Sequence, residues 1–200
     1  MVLPARDRGA KTVVIAARVI SAIFHPFVMV GVMVGTAAAS RETRSEAFRS
    51  IALVVLVTTV PIAVLMIRQV RRGVWKNADA SNRHERPILY LVLGAALIAL
   101  LAYLTLFSQQ SFMVRGVVAT IGMVAVCAVA TRWIKVSLHM AFAALAGTTL
   151  AVMGSIVGYV FVLMLPVLAW ARLALSRHTP LELALGTLAG VSAGVAIHHL

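Results

Sequence analysis

Seven apolar stretches alternate with short polar joints along this chain. A bilayer's hydrocarbon core, about 30 Å thick, takes roughly 20 apolar residues in a helix. The first stretch runs from about Val13 to Ala38 and carries His25-Pro26, where proline removes a backbone donor and predicts a kink. The second runs from about Phe48 to Ile67, with Pro61 inside, and a polar loop follows from Arg68 to Pro87. The others are Ile88–Phe107, Met113–Ala130, Ser137–Gly154, Ile156–Leu175, and Pro180 to the C-terminus. The pattern predicts an all-α, polytopic transmembrane helical bundle of about six to seven spans, forming a single membrane domain over residues 1–200. The first stretch is too long for a cleaved signal core, so it is read as a span.

Composition agrees. Of the 200 residues, 62% are hydrophobic, above the 45–50% or so of soluble domains. Cys127, the one cysteine, lies among apolar residues, which points to a buried small hydrophobe and rules out a disulfide within the chain. The formal net charge is +12. In a soluble chain that would suggest nucleic acid. Here the bases sit between apolar spans, so they speak of topology and anionic lipid, and no nucleic-acid partner is expected. Arg41, Arg44, Arg49 and Arg115 fall on one face of a seven-span topology, and the other 14 of the 18 Lys and Arg fall on the opposite face. The basic face is expected to be cytoplasmic. Trp75, Trp133 and Trp170 lie toward it, as an interfacial belt would.

Three polar clusters stand at that basic face, in segments 76–87, 135–139 and 172–182. In the first, Asp79, Arg83 and Arg86 have helical spacing and could share one side of a turn. In the second, Ser137 is a natural helix N-cap with His139 in the first turn. In the third, Thr179, Pro180 and Glu182 read as a capping box, and Arg172 as a snorkelling base. An even number of spans separates successive clusters, so all three meet at one face. Together they supply cations, two histidines and a carboxylate. Cations beside helix starts suit an anion. Histidine suits acid–base or nucleophilic work near neutral pH. On helix 180–200, Glu182, Gly186, Gly190 and Gly194 share a face that permits close helix approach. His25 reads as a polar residue satisfied at its kink, and His198 and His199 as terminal.

These residues resemble the type-2 phosphatidic acid phosphatase superfamily of lipid phosphate phosphatases. That family has three motifs: one ending in Arg-Pro with a lysine seven positions before the arginine; Pro-Ser-Gly-His; and Ser-Arg, five residues, His, three residues, Asp. Arg86-Pro87 resembles the end of the first, Ser137-Leu138-His139 the second, and Arg172, His178 and Glu182 match the third in spacing. Strict spacing puts Asp79 at the lysine position, while Lys76 and Arg83 have the family spacing without the proline. Val136 and Leu138 replace proline and glycine, Ala171 replaces serine, and Glu182 replaces aspartate.

The resemblance implies a phosphohistidine on His178, held by Glu182, with His139 as the acid for the leaving oxygen. Arg86, Arg172, Ser137, Arg83 and Lys76 are the expected phosphate binders, with Asp79 the possible first-motif position. No metal or other cofactor would be needed. The expected partners are the bilayer and a lipid substrate: a phosphatidylglycerol phosphate, a phosphatidic acid or a polyprenyl-linked phosphate. The expected place is the plasma (inner) membrane, with the site on the cytoplasmic face. A second reading is a catalytically inactive lipid-binding or scaffold protein of the same fold. Zinc held by His139, His178 and Glu182, or a transporter, are further readings.

Overall fold

The computed structural model describes residues 5–77, 79–80, 82–107 and 111–200, with only the backbone of 5–8 and 10. Ala78 and Ser81 of the first polar cluster, and Ser108, Gln109 and Gln110 of the expected Ser108–Phe112 loop, lie outside the described residues.

The chain is an all-α polytopic helical bundle. Helices α1 (Ala5–Ile23) and α2 (Pro26–Ala39) form the first apolar stretch, bent by 41° at His25-Pro26. His25 caps α2, its Nδ1 accepting from the Phe27 N–H at 3.3 Å. Helices α3 (Arg44–Val54) and α4 (Val60–Arg71) are one continuous span joined by a π turn, Val55–Thr59. The turn sits just ahead of Pro61, which has no N–H to give; a wider loop accommodates that gap. The remaining helices are α5 (Arg86–Phe107), α6 (Ser111–Ala130), α7 (Leu138–Val152), α8 (Ile156–Ala174) and α9 (Pro180–His199). Among the described residues, five helices are long and apolar enough to span a membrane, or six if the bent pair counts as one. The polar loop expected from Arg68 to Pro87 is shorter than that. Helix α4 continues through Arg71, and a 3₁₀ turn over Arg83–Glu85 leads into α5.

Large apolar side chains face outward, among them Phe48, Leu91, Phe107 and Leu163. In water this would be an aggregation surface; in lipid it is the proper exterior. Trp133 and Trp170 are exposed, but Trp75 is buried in the core, so the expected belt loses one member to packing.

Helix α7 is the axis of the bundle. Eleven of its 15 residues are buried. At 1.5 Å per residue it is only about 22 Å long, short of a bilayer core. A short apolar helix is tolerated at that depth because α2, α8 and α9 wrap it. Helix α9 comes closest. A Cβ on Gly186 would meet the Ser137 carbonyl oxygen at 2.4 Å, and one on Gly190 the Ala141 carbonyl oxygen at 2.1 Å. The glycine stripe read from the sequence is therefore the contact face, and α9 packs nearly backbone to backbone on α7.

Gly190→Val should accordingly separate the two helices and cost stability by roughly 1–3 kcal/mol or more. Gly122→Val, where a Cβ would meet nothing within 4 Å, should not. Thermal unfolding of both variants in detergent micelles checks this, and equal melting would refute the close packing.

Candidate functional site

The site is assembled where α5, α7, α8 and α9 begin or end at one face. Its third segment is shaped by the end of α8. Ser176 takes a left-handed backbone conformation (φ 52°), its N–H bonds to the Leu173 carbonyl, and the Arg177 N–H returns to the Arg172 carbonyl at 3.1 Å. This Schellman-type reversal leaves Arg172 at the helix end and sets His178 just ahead of α9.

There the capping box forms as read from the sequence. Glu182 accepts from the Thr179 N–H at 3.1 Å, and the Thr179 hydroxyl accepts from the Glu182 N–H at 3.4 Å. The same Glu182 oxygen lies 2.8 Å from His178 Nδ1. One carboxylate thus starts the helix and fixes the imidazole. Lys135 stands 3.9 Å from that oxygen and donates to the Arg177 carbonyl at 2.6 Å.

The first segment is held by the buried Glu85. It accepts from the Lys76 N–H at 3.1 Å, the Asn82 N–H at 3.1 Å and the Asn82 amide at 2.8 Å. The fold splits the expected Asp79–Arg83–Arg86 face. Asp79 and Arg86 turn inward, while Arg83 is exposed and reaches the Trp133 carbonyl at 3.5 Å. Lys76 is exposed too. Lys76 and Arg83 thus stand away from the pocket, because Asp79, Ala80 and Asn82 are not helical.

Arg86 is buried and ties segments together. It donates to the carbonyls of Val136 and Ala80 and to the Tyr90 hydroxyl, which also contacts the Thr131 hydroxyl at 3.1 Å. Its bonds to carbonyls make it a strut as well as a charge.

Arg172 does not snorkel: it is 2% exposed. Its Nη1 donates to Asp79 Oδ2 at 2.9 Å, and Arg177 lies 3.8 Å from the same oxygen. Arg177 also donates to the Asn77 amide oxygen at 2.5 Å. Ser137 is fully buried and caps α7, its hydroxyl accepting from the Met140 N–H at 3.5 Å. His139 is buried in the first turn of α7, its ring packed edge-on against His25 at 5.2 Å.

The positive field here is dense. Burial, and then the charges of Arg172, Arg86, Lys135 and His139, hold the His178 imidazole well below its ordinary value, so it is neutral. Burial alone would push the Asp79 carboxyl up. The fields of His139, Arg172 and Arg177 outweigh that and hold it below the usual carboxylate range. Burial pushes the Lys135 ammonium down, although Glu182 acts the other way. Two buried polar atoms in this cluster, His139 Nε2 and Arg172 Nε, have no partner among the described residues. With neutral His178 donating Nδ1–H to Glu182, its Nε2 lone pair is available to an electrophile. His25, Asp79 and His139 bring ligand atoms within 4.8 Å of one another, a donor set able to hold a metal. Arg172 and Arg177 on Asp79 set fixed positive charge against a cation there.

A cavity of about 360 Å³ opens beside the cluster. His25, Asp79 and His139 border one end, and Arg41, Glu42 and Ser111 the other, with apolar walls from α2, α5 and α6 between. It follows α2 along its whole length.

Of the expected site residues, the structure brings together His178, Glu182, His139, Arg172, Arg86, Ser137 and Asp79. The sequence reading missed His25 as a member, and it had Lys135 and Arg177 inside the segments 135–139 and 172–182 without giving either a role. Lys135 and Arg177 flank the motifs and carried a detectable signal, being bases next to them; His25, over fifty residues upstream, carried none. Compared with known proteins, the chain matches no family model, no curated protein and no solved structure.

Folded His178 resists a proton that the unfolded chain accepts near pH 6.5. Its stabilising contribution is therefore present above that pH and lost as pH falls toward the folded value. Stability, followed by the Tm in micelles, should drop between pH 7 and pH 5, with this group contributing no more than about 1.4 kcal/mol of unfolding free energy per pH unit. The drop should shrink in His178→Gln. An unchanged pH dependence in that variant would contradict a neutral buried imidazole.

Proposed function

We propose that this chain is an integral membrane lipid phosphate phosphatase working through a phosphohistidine on His178. The observation that carries the reading is the buried His178–Glu182 pair, 2.8 Å apart, among the charges of Arg86, Arg172 and Lys135. A neutral imidazole oriented by a carboxylate is an activated nucleophile. Arg172 Nε, without a partner among the described residues, and the cations around it supply donors where phosphoryl oxygens would gain charge.

His178 Nε2 attacks phosphorus as the P–O bond to the lipid breaks. The leaving alkoxide takes a proton from His139 and departs as an alcohol. Water then attacks the phosphohistidine, phosphate leaves, His178 is restored, and the water's proton returns to His139. The apolar cavity receives the hydrocarbon of a phosphatidic acid, a phosphatidylglycerol phosphate or a polyprenyl-linked phosphate. The ion pair between Asp79 and Arg172 favours a second reading, a lipid-binding member of the same fold whose anion site is neutralised.

Incubation with ³²P-labelled phosphatidic acid and acid-free quenching should trap acid-labile label on the wild type and none on His178→Ala. Phosphate release should fall by roughly 10²-fold or more in Glu182→Gln. Equal release from wild type and His178→Ala would remove the phosphohistidine and leave the lipid-binding reading.

The excess of Lys and Arg in the loops on the site's side supports a cytoplasmic face of the plasma (inner) membrane as its location. Cys127 is fully buried, so an added cysteine can be read without background. Arg72→Cys should resist an impermeant maleimide on intact cells and react after permeabilisation. Labelling of intact cells would reverse the orientation.

A further inference from the structure

The cavity beside the cluster has the shape of a slot. It runs along α2, whose 14 residues make about 21 Å at the helical rise. Spread over that length, its volume of about 360 Å³ gives a cross-section of about 17 Å². That is close to the width of one hydrocarbon chain, and two do not fit abreast. One leaflet of a bilayer core is about 15 Å deep. A chain of leaflet length, once straightened, fills the slot. A chain long enough to cross the bilayer overruns it.

The two ends differ. At the near end Asp79 and His139 border the slot, and Asp79 is bonded to Arg172 at 2.9 Å, so the mouth adjoins the cation cluster. The walls are apolar, and Met33, Met66 and Met113 supply soft side chains that adapt to a chain. Toward the far end the wall is made of small residues, Ala37 and Ala38 of α2 and Gly116 of α6. Among the described residues, a Cβ added to Gly116 meets nothing within 4 Å. The missing side chain keeps that stretch open. Charge then ends the slot. The Arg41 guanidinium lies 4.4 Å over the Phe112 ring, and the Ser50 hydroxyl donates to Glu42 at 2.9 Å. A chain end pushed among these groups displaces partners that carbon cannot replace.

Resting on the phosphatase reading for the place of the head group, we propose that the slot holds one acyl or alkyl chain of the substrate and measures its length, with Gly116 as the specificity-determining residue. The substrate class is then a phosphate lipid with chains of leaflet length. In a two-chain lipid the second chain stays in the bilayer. Lipid tails are as apolar as the slot wall, so selection comes from fit and not from leaving water. Long polyprenyl phosphates are disfavoured because their tails have no room beyond Gly116.

The test reads where the chain end lies. Hexadecylphosphonate with a diazirine on its terminal carbon keeps its head, because a C–P bond is not hydrolysed. It would be photolysed with the full-length protein in micelles, and adducts mapped by mass spectrometry. Adducts are expected on residues 37–42 and 111–117, and excess hexadecylphosphonate without the diazirine should remove them. Gly116→Trp should lower them roughly tenfold. Gly122→Trp, on the same helix and outside the slot, should not. Phosphate release gives a second readout. Across alkyl phosphates from octyl to eicosyl, wild-type kcat/KM should peak at hexadecyl, and Gly116→Trp should move the peak to a shorter chain.

Adducts confined to outward residues such as Leu91, Phe107 and Leu163 would overturn the proposal. So would a length profile that Gly116→Trp leaves unchanged despite normal melting. Faster release from a long polyprenyl phosphate than from hexadecyl phosphate would overturn it too. Slot adducts with no release from any substrate would sink the phosphatase reading and keep the slot as a lipid site, a distinguishable result. If Gly116→Trp does not fold, the wild-type adducts and the wild-type length peak decide without it.

Discussion

Glu182 brings a negative charge to the start of a transmembrane helix, and charge in so poor a solvent is tolerated only where it is matched. Its carboxylate accepts from the Thr179 N–H, holds His178 and faces Lys135. Its backbone carbonyl accepts from the Ser137 N–H at 3.1 Å. That last bond links α9 to the cap of α7, so the register of the two helices and the placing of His178 are fixed together. Arg172 and Asp79 obey the same rule one layer away. A guanidinium this deep is not left to lipid, and the loop folds inward to supply its partner.

The close packing of α9 on α7 turns this local chemistry into architecture. Glycines at 186 and 190 let two backbones meet, so the short α7 can run through the middle of the bundle sheathed in protein. With α7 central, its first turn presents His139 toward the break between α1 and α2. Proline at position 26 creates that break, and His25 fills it. The cavity follows because α2 is bent off the line of α1 and leaves room along its length between itself, α5 and α6. A polar pocket and an apolar slot thus adjoin, a shape suited to a molecule with a charged head and a hydrocarbon body.

The all-α membrane bundle was legible in the order of residues because lipid imposes a one-dimensional rule: long apolar runs must be helices, and polar residues must sit at their ends. The kink at Pro26, the capping box at Thr179, the cap at Ser137 and the glycine face of α9 are all local, set by residues within a turn or two of one another. Each was therefore visible before any fold was known. The pairing of His178 with Glu182 belongs here too, since four residues along a helix start bring side chains together whatever surrounds them.

What tertiary structure alone decided are the encounters between distant segments. Sequence spacing offered Arg83 and Lys76 as readily as Arg86 and Asp79, and only the inward fold of the loop over Arg172 and Val136 separated them. His25 joined the site because a bent helix and a central one happen to cross there. Lys135 and Arg177 joined through contacts to a carboxylate and to a carbonyl of another segment. Trp75 left the expected aromatic belt for the core for the same reason. Local periodicity determines which residues share a helix face. Which faces meet is a balance of packing and buried charge over the whole bundle, and that balance is not written in any one stretch of the chain.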